Sequence, residues 1–254
     1  MGSRLKNKVA VVTGGGSGIG EAIARAFADE GCRVVISGRR AAQIEKVAEE
    51  IAGTAIVADV SVEKDVAALM TAAAGSDGTI DILINNAGIT GPVANAEDLD
   101  MLAWDETVAI NLRGVILCIK HAAPFLKVQG GSIINMSSLM GLRGYPMRSA
   151  YSATKFAVIG ITQAIAHELG PHGVRVNALC PGAVNGELMT RVIAARAAAE
   201  ARSEEEIIRA NYTDVAAMRK WVEPEEVAAT AVFLASEAAS SITAESIKVD
   251  AGRM

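Results

Sequence analysis

A tyrosine and a lysine four residues apart are the first pair in this sequence that could do chemistry. Tyr151 and Lys155 fall in a stretch of helical pattern, where this spacing places two side chains on one face, about one turn apart. A free phenol has a pKa of about 10, too high for efficient proton exchange near neutral pH. Because a nearby ammonium favours the phenolate, we expect Lys155 to lower the pKa of Tyr151, and Tyr151 to act as general acid and base.

The helix that carries this pair is expected to be buried. The alternative is an exposed helix, on which a tyrosine and a lysine at this spacing are frequent. The residues that follow are almost wholly apolar, including Phe156, Val158, Ile159, Ile161 and Ile165. A buried lysine without a functional role is rare, so the apolar pattern favours a catalytic role for Lys155.

A glycine-rich turn, TGGGSGIG at residues 13–20, lies between an apolar run and a helical pattern over residues 21–30. Glycines let the backbone approach a pyrophosphate, and the free N–H groups and dipole of a helix N-terminus stabilise its charge. Ser17 could add a hydroxyl donor. The alternative is an ordinary flexible turn, but its place after the first strand favours a dinucleotide site.

Short apolar runs alternate along the chain with longer Ala-rich helical stretches. The runs are residues 9–13, 33–37, 54–58, 80–85, 132–137, 174–179 and 246–249. This alternation predicts βαβ units and a parallel sheet, and the nearly continuous apolar character of the runs predicts helices on both faces. We therefore expect an α/β fold: a doubly wound parallel sheet of the Rossmann type in a three-layer α/β/α sandwich.

One domain over residues 1–254 is predicted, because no linker, repeat or composition shift divides the chain. Residues 183–222 form a long insertion rich in Ala, Arg and Glu, with Glu205 and Arg209 at a favourable i, i+4 spacing. This insertion should be mostly helical. A new helix should begin at Glu223-Pro224 and run to about Ala235.

Composition argues against several classes of protein. The chain has 24 basic and 29 acidic residues, a net charge of −5 and no basic run, so a nucleic-acid partner is not expected. Cys32, Cys118 and Cys180 have no CxxC spacing and should be buried thiols in a reducing compartment. The three histidines have no metal-site spacing, and no run approaches membrane-spanning length. We expect a cytoplasmic protein without a protein-held metal.

The spacing of the glycine turn, TGxxxGxG, differs from the commonest dinucleotide fingerprint and resembles that of the short-chain dehydrogenase/reductase family. Three further motifs follow in the family's order: residues 85–88, NNAG; residues 151–155, which match YxxxK; and Pro181-Gly182. Asn111 and Ser138 fall where the family places its remaining catalytic residues. The resemblance covers the chain from end to end and implies an NAD(P)-dependent oxidoreductase acting on a carbonyl or alcohol.

The expected catalytic residues are Asn111, Ser138, Tyr151 and Lys155. Ser138 ends the fifth strand, at the edge of the sheet where ligands bind, so its hydroxyl can hold the substrate oxygen. The alternative is that Ser137 and Ser138 only cap the next segment. The resemblance implies that Lys155 also binds the nicotinamide ribose. It further implies that Asn111 holds a water molecule through which protons reach Lys155.

The second strand ends without an acid, in Ser37-Gly38-Arg39-Arg40. NAD-preferring folds commonly place an acid there, whereas Arg39 offers a guanidinium fork to a 2′-phosphate, so NADP is favoured over NAD. The alternative is that both arginines open the next helix. By resemblance Asp59 and Val60 border the adenine, although Asp59 could instead cap a helix beginning near Ser61. The full expected cofactor set is Gly14, Ser17, Gly18, Ile19, Gly20, Arg39, Asp59, Val60, Asn86, Ala87, Gly88, Tyr151, Lys155, Pro181 and Gly182.

The substrate pocket should be walled by residues 90–93, 140–148 and the 183–222 insertion, acting as a lid. Residues 194–197 and 203–206 look similar to the lid of 3-hydroxybutyrate dehydrogenases within the family. In those enzymes a lysine holds the substrate carboxylate where this chain has Arg148, which implies a small hydroxy or oxo acid. Met140 and the missing acid after strand two depart from them, so a 3-oxoacyl thioester, a sugar or a steroid carbonyl stays open. The expected substrate set is Ser138, Met140, Arg148 and Tyr151.

The helical stretches 115–119 and 156–165 lack a clear polar face, which favours burial against another subunit. The alternative is burial by the chain's own loops; the resemblance implies a homotetramer. A rival class of protein is a nucleotide-sensing regulator that keeps the fold without catalysis. Such a protein is expected to lack Tyr151 or Lys155, and this sequence has both.

Overall fold

The computed structural model describes residues 3–253, apart from the side chains of residues 187, 188, 191, 192, 195, 196 and 199. In this part of the chain seven parallel strands form one sheet in the order β3-β2-β1-β4-β5-β6-β7. The strands are β1 Val9–Thr13, β2 Arg33–Gly38, β3 Thr54–Val57, β4 Ile82–Asn85, β5 Gly131–Met136, β6 Val174–Pro181 and β7 Ser246–Val249. The strand order reverses between β1 and β4, which creates the crevice where doubly wound sheets bind ligands.

Helices cover both faces of this sheet and bury its apolar side chains. The helices are α1 Gly18–Asp29, α2 Ala41–Glu50, α3 Glu63–Ala74, α4 Met101–Val108, α5 Gly114–Leu126, α6 Ser149–Leu169, α7 Glu187–Glu200, α8 Glu204–Ile208 and α9 Pro224–Ala235. One core cluster lies between the sheet and α1, α2 and α9, and a second lies between the sheet and α3, α5 and α6. The predicted doubly wound three-layer sandwich is confirmed.

The element boundaries depart most from the predicted ones at three places. Helix α1 begins at Gly18, inside the glycine turn, so the turn and the helix N-terminus are one structure. Strand β4 begins at Ile82, two residues later than predicted, and the Asp81 carboxylate before it accepts a hydrogen bond of 2.8 Å from the Val9 N–H. Strand β6 continues to Pro181 and pairs there with Val249 of β7, which carries the Pro181-Gly182 motif to the sheet edge.

Helices α4 and α5 form one continuous helical run, Met101–Leu126, joined by a π-helical turn at Ala109–Arg113. Its 26 residues have the length and hydropathy of a membrane span, which the sequence analysis did not expect. Length and composition alone do not distinguish such a span from the core helix of a globular protein, and this run is partly buried. Leu117, Cys118 and Ala122 pack into the core on one face of the sheet, as in a core helix.

The insertion contains α7, α8 and a π-helical turn at Arg209–Thr213, and residues 214–222 run without helix. Its two ends meet, because the Val222 N–H donates to the Ala183 carbonyl at 3.2 Å and the Asn185 N–H to the Val222 carbonyl at 2.8 Å. Arg209 pairs with Asp214 at 3.5 Å rather than with Glu205 as expected. In the segment 194–197, the side chains of residues 195 and 196 lie outside the described residues. Helix α9 begins and ends as predicted.

Candidate active site

The glycine turn is packed too closely for side chains at several of its positions. A Cβ at Gly14 would lie 3.0 Å from Ala87 Cα, and one at Gly20 would overlap the Gly14 carbonyl oxygen. Gly18 has a φ of +56°, and a Cβ there would meet no described atom within 4 Å, so this position opens outward. Ser17, the N-cap, makes no side-chain capping bond within residues 3–253. An open backbone and an uncapped helix N-terminus fit a pyrophosphate.

A threonine at the end of β1 ties the turn to the NNAG motif. The Thr13 hydroxyl accepts hydrogen bonds from the N–H groups of Asn86 and Ala87 at 3.0 and 3.1 Å. The Asn86 amide donates to the carbonyls of Thr13 and Gly14 at 3.0 and 3.1 Å. The Asn86 side chain therefore holds the turn in place. Thr13 was not among the expected site residues, although its position directly before the first glycine of the turn could have indicated this role.

Two arginines flank the far side of the turn. Arg40 donates to the Ser17 hydroxyl at 3.3 Å, and the Arg39 guanidinium lies 3.9 Å from the Asp59 carboxylate. Burial acts to raise the pKa of Asp59, but hydrogen bonds from Ser61 and the charge of Arg39 outweigh it and lower that pKa. Asp59 binds the N–H of Ser61 and makes no cap for α3, whose N-cap is Val62. Arg40, N-cap of α2, was not expected beside the turn.

Tyr151, Lys155 and Ser138 meet at the carboxyl ends of β5 and β6. Lys155 is 5% exposed, and its ammonium donates to the Met136 carbonyl at 2.7 Å. Its Nζ lies 5.5 Å from the centre of the Tyr151 ring. The Ser138 hydroxyl accepts the Met140 N–H at 3.1 Å and acts to lower the pKa of the Tyr151 phenol. Ser138 therefore caps the following turn, as the alternative expected, and its contact with a substrate oxygen stays a prediction.

The expected direction of the Tyr151 pKa is wrong. Burial raises this pKa above its ordinary value, and the Ser138 hydrogen bond and the charge of Arg148 oppose that rise without overcoming it. Lys155 is not among these influences. Its own pKa falls to about 8, mainly because burial disfavours the ammonium, while Cys180 acts in the opposite direction. The spacing of Tyr151 and Lys155 did not reveal how deeply both are desolvated.

Arg148 is the cation nearest the Tyr151 ring. Its guanidinium carbon lies 5.1 Å from the ring centre, and its Nη2 donates to the Thr90 carbonyl at 3.1 Å. Its Nε is buried without a hydrogen-bond partner in the described part of the chain. Burial lowers the pKa of Arg148, and the electrostatic influences of Tyr151 and then of Tyr212 oppose this. An arginine with a buried free donor beside a phenol can bind an anion.

Asn111 lies in the π-helical turn and is fully buried. Its amide exchanges two hydrogen bonds of 2.8 Å with the backbone of Ile89 and reaches the Thr154 hydroxyl at 3.4 Å. Asn111 thus joins the loop after the NNAG motif to the residue before Lys155. Gly88 is closely packed against this amide, since a Cβ there would lie 3.1 Å from Asn111 Oδ1.

The remaining expected residues differ in how they border the crevice. The Val60 side chain is buried in the core beside Gly114, and Ile19 packs against the other core cluster. Gly182 donates its N–H to the Val249 carbonyl at 2.9 Å, so the motif at the end of β6 is fixed to β7. Met140 follows Ser138 in the short turn at residues 139–141. Tyr212 of the insertion, which was not among the expected residues, acts to raise the pKa of Arg148.

A doubly wound parallel sheet, with a glycine turn at its switch point and beside it a Ser-Tyr-Lys group whose lysine is buried, defines a dinucleotide-binding α/β enzyme. Residues 14–253 match the family model described as enoyl-(acyl carrier protein) reductase. The chain belongs to the short-chain dehydrogenase/reductase family. Members of this family are oxidoreductases that act on alcohols and typically use NAD(P), so this protein is an enzyme acting on a small molecule.

Two relatives and one solved structure illustrate this likeness. The chain is 39% identical to cis-4-hydroxycyclohexanecarboxylate dehydrogenase of Sinomonas cyclohexanicum, over 99% of this chain and 98% of the relative. It is 36% identical to D-beta-hydroxybutyrate dehydrogenase of Rhizobium meliloti, over 96% and 98%. A crystal structure titled ribose-5-phosphate isomerase from Brucella melitensis aligns with a TM-score of 0.91 and 33% identity, over 100% of this chain and 94% of that one.

Proposed function

We propose that this protein is an NAD(P)-dependent dehydrogenase of small hydroxy acids, which it interconverts with the oxo acids. The observation that carries this proposal is the buried, unpartnered Nε of Arg148 beside the Tyr151 ring. An anion bound there would satisfy this donor and stand next to the proton-transferring phenol. The substrates in the names of both relatives, 4-hydroxycyclohexanecarboxylate and hydroxybutyrate, each contain a hydroxyl and a carboxylate.

The bound nicotinamide supplies the acceptor for the hydride that leaves the alcohol carbon. In that direction the substrate hydroxyl loses its proton to the Tyr151 phenolate, and the C–O bond becomes a carbonyl. Ser138 donates a hydrogen bond to the substrate oxygen and keeps it beside the phenol. Lys155 holds positive charge near the phenol and binds the nicotinamide ribose. Asn111 positions the loop at Ile89 and supports a water path toward Lys155.

NADP is the proposed cofactor, with NAD as the alternative. The free N–H groups at Gly18, Ile19 and Gly20 would meet the pyrophosphate, and Arg39, with Arg40 nearby, would bind a 2′-phosphate. The other proposed cofactor residues stay those of the sequence analysis: Gly14, Ser17, Asp59, Val60, Asn86, Ala87, Gly88, Pro181 and Gly182. Measuring kcat/KM with NADP and NAD at equal concentration tests this, and a strong preference for NAD would contradict the role of Arg39.

The proposed domain organisation is one domain with the insertion 183–222 as a substrate lid, and the proposed location is the cytoplasm. We also propose a homotetramer. Ile116 on α5 and Phe156 on α6 support it, because these large apolar side chains are 37% and 46% exposed. Light scattering of the purified protein tests the assembly, and a monomer would contradict it.

The decisive experiment is a substrate panel with paired neutral controls. It contains 3-hydroxybutyrate, cis-4-hydroxycyclohexanecarboxylate and the methyl ester of each, assayed with NADP and NAD, together with a 3-oxoacyl thioester in the reverse direction. We expect turnover of at least one acid and a much lower kcat/KM for its ester, because the ester lacks the charge that Arg148 would bind. No turnover of any carbonyl or alcohol would instead favour the regulator, which binds a dinucleotide without catalysis.

A further inference from the structure

The end of β5 is bonded to Lys155 through two successive residues. The Lys155 ammonium donates to the carbonyl of Met136, the last residue of the strand, at 2.7 Å. The next residue, Ser137, donates its hydroxyl to the Lys155 carbonyl at 2.8 Å. Lys155 is therefore held at both ends, by its ammonium and by its backbone. The third residue of the same segment is Ser138, which is itself an expected catalytic residue.

Ser137 has little freedom to move. It is 4% exposed, and its N–H donates to the Leu179 carbonyl of β6 at 2.7 Å. Because its backbone is fixed to the sheet, its hydroxyl is the group that reaches α6. A buried hydroxyl needs a hydrogen-bond partner, and a helix carbonyl has a second lone pair with which to accept it. The hydrogen bond therefore fixes α6 to the sheet at the turn that carries Lys155.

The short turn after Ser138 closes over this hydrogen bond. The Gly141 N–H donates to the Ser138 carbonyl at 2.9 Å. A Cβ at Gly141 would overlap both the Ser137 hydroxyl and the Lys155 carbonyl, so only a glycine allows this approach. The hydrogen bond is buried, and such a bond is electrostatically stronger than one in water.

We propose that Ser137 is a positioning residue for Lys155. Its hydroxyl fixes the turn of α6 from which the lysine extends, and this keeps the ammonium at the end of β5, 5.5 Å from the centre of the Tyr151 ring. The inference rests on the proposed dehydrogenase function, in which Lys155 binds the nicotinamide ribose. It does not depend on the anion proposed at Arg148.

Ser132, at the opposite end of the same strand, provides a matched control. It is 1% exposed, and its hydroxyl donates to the Leu234 carbonyl of α9 at 3.2 Å. Both serines connect β5 to a helix carbonyl, but Ser132 lies at the sheet edge away from the candidate site. Ser137→Ala and Ser132→Ala remove the same atom from the same kind of hydrogen bond, so each should lower Tm by about 2–4 °C.

Cofactor titration distinguishes positioning of Lys155 from simple anchoring of α6. The proteins compared are the unmodified protein, Ser137→Ala, Lys155→Met, the double variant and Ser132→Ala, each titrated with NADPH and with NADH by fluorescence. We expect Ser137→Ala to raise the dissociation constant about threefold and to lower kcat about tenfold, because a displaced ammonium is poorly aligned. In the Lys155→Met background Ser137→Ala should leave the dissociation constant unchanged, because no ammonium is left to position. Ser132→Ala should bind the cofactor as the unmodified protein does.

Stability against pH gives a second readout, which needs no cofactor. Burial lowers the pKa of Lys155 to about 8, so the protein gains stability between pH 8 and 9. If Ser137 keeps the ammonium buried, Ser137→Ala should let it reach water, and this gain should shrink. Ser132→Ala should keep the full gain. The neighbouring thiol of Cys180 is present in every variant, and its raised pKa keeps it protonated in the folded protein over this range.

The outcomes separate this inference from the proposed function. If Lys155→Met leaves cofactor binding and turnover unchanged, the proposed role of Lys155 is wrong and the role of Ser137 falls with it. If Lys155→Met weakens cofactor binding but Ser137→Ala does not, only the role of Ser137 is overturned. The same holds if Ser137→Ala weakens binding equally with and without Lys155. An undiminished gain in stability between pH 8 and 9 in Ser137→Ala would also overturn it.

Discussion

The Arg148 guanidinium carbon lies 5.1 Å from the centre of the Tyr151 ring, closer than the Lys155 Nζ at 5.5 Å. The two cations differ in more than distance. The charge of Arg148 opposes the burial-driven rise of the Tyr151 pKa, whereas Lys155 has no resolved effect on it. Arg148 therefore influences the titration of Tyr151 in addition to its proposed contact with the substrate.

Replacing Arg148 should move the pH dependence of alcohol oxidation. Because the positive charge of Arg148 acts to lower the pKa of Tyr151, Arg148→Met should raise that pKa, and the rising limb of kcat against pH should shift to higher pH. Arg25→Met is the control, since Arg25 on α1 pairs with Glu21 and Glu50 and belongs to no proposed site. An unshifted limb in Arg148→Met would refute this coupling.

Tyr151→Phe should cut kcat by about two to four orders of magnitude and leave the dissociation constant of the cofactor unchanged. Only the transferable proton is lost, while the ring that contacts Arg148 and Lys155 is kept. Steady-state rates and titration of NADPH fluorescence measure the two effects. Turnover near that of the unmodified protein would show that another group transfers the proton.

Lys155 should make the protein more stable as the pH rises above about 8. The pKa of Lys155 is about 8 in the folded protein and 10.5 when the side chain is in water, as in the unfolded chain. Between these pH values the unfolded chain therefore binds more protons than the folded protein. The free energy of unfolding therefore rises by about 1.4 kcal/mol per pH unit from this group alone. Below pH 8 both states carry the ammonium, and its full burial cost is present.

Lys155→Met should remove this slope, which denaturant titrations of both proteins from pH 7 to 9 can measure. The range below 9 is chosen because burial raises the pKa of Cys32, Cys118 and Cys180 above 9.0, and those thiols lower stability at higher pH. Equal slopes in the two proteins over pH 8–9 would contradict a lowered Lys155 pKa.

A single methyl group in the glycine turn should disrupt it. Gly20→Ala would place a Cβ against the Gly14 carbonyl and the Asn86 amide, so we expect a loss of about 1–3 kcal/mol of stability and weaker cofactor binding. Gly160→Ala is the matched control in the middle of α6, where a Cβ meets nothing within 4 Å; it should gain about 1 kcal/mol. Thermal unfolding and cofactor titration compare them, and a Gly20→Ala protein as stable as Gly160→Ala would argue against the tight turn.

The sequence was sufficient where local pattern decides structure. Alternating apolar runs predicted the parallel sheet, and a four-residue spacing predicted that Tyr151 and Lys155 share a helix face. It was insufficient where distant segments meet. The neighbourhood of Arg148 combines the start of α6 with the loop at Thr90, and the direction of the Tyr151 pKa depends on burial. Spacing along the chain carries no measure of that desolvation.

The π-helical turn at Ala109–Arg113 also has a consequence for the phase of the helix that follows it. Such a turn amounts to one extra residue within an α-helix. Deleting Leu112 should let the segment relax into a regular α-helix, and because the turn holds one residue more than an α-helix needs, α5 should keep the side that it now turns to the sheet. Asn111 would lose its hold on Ile89, because that hold depends on the widened turn. A one-residue deletion here would thus be felt at the candidate site, while the core contacts of α5 would be kept.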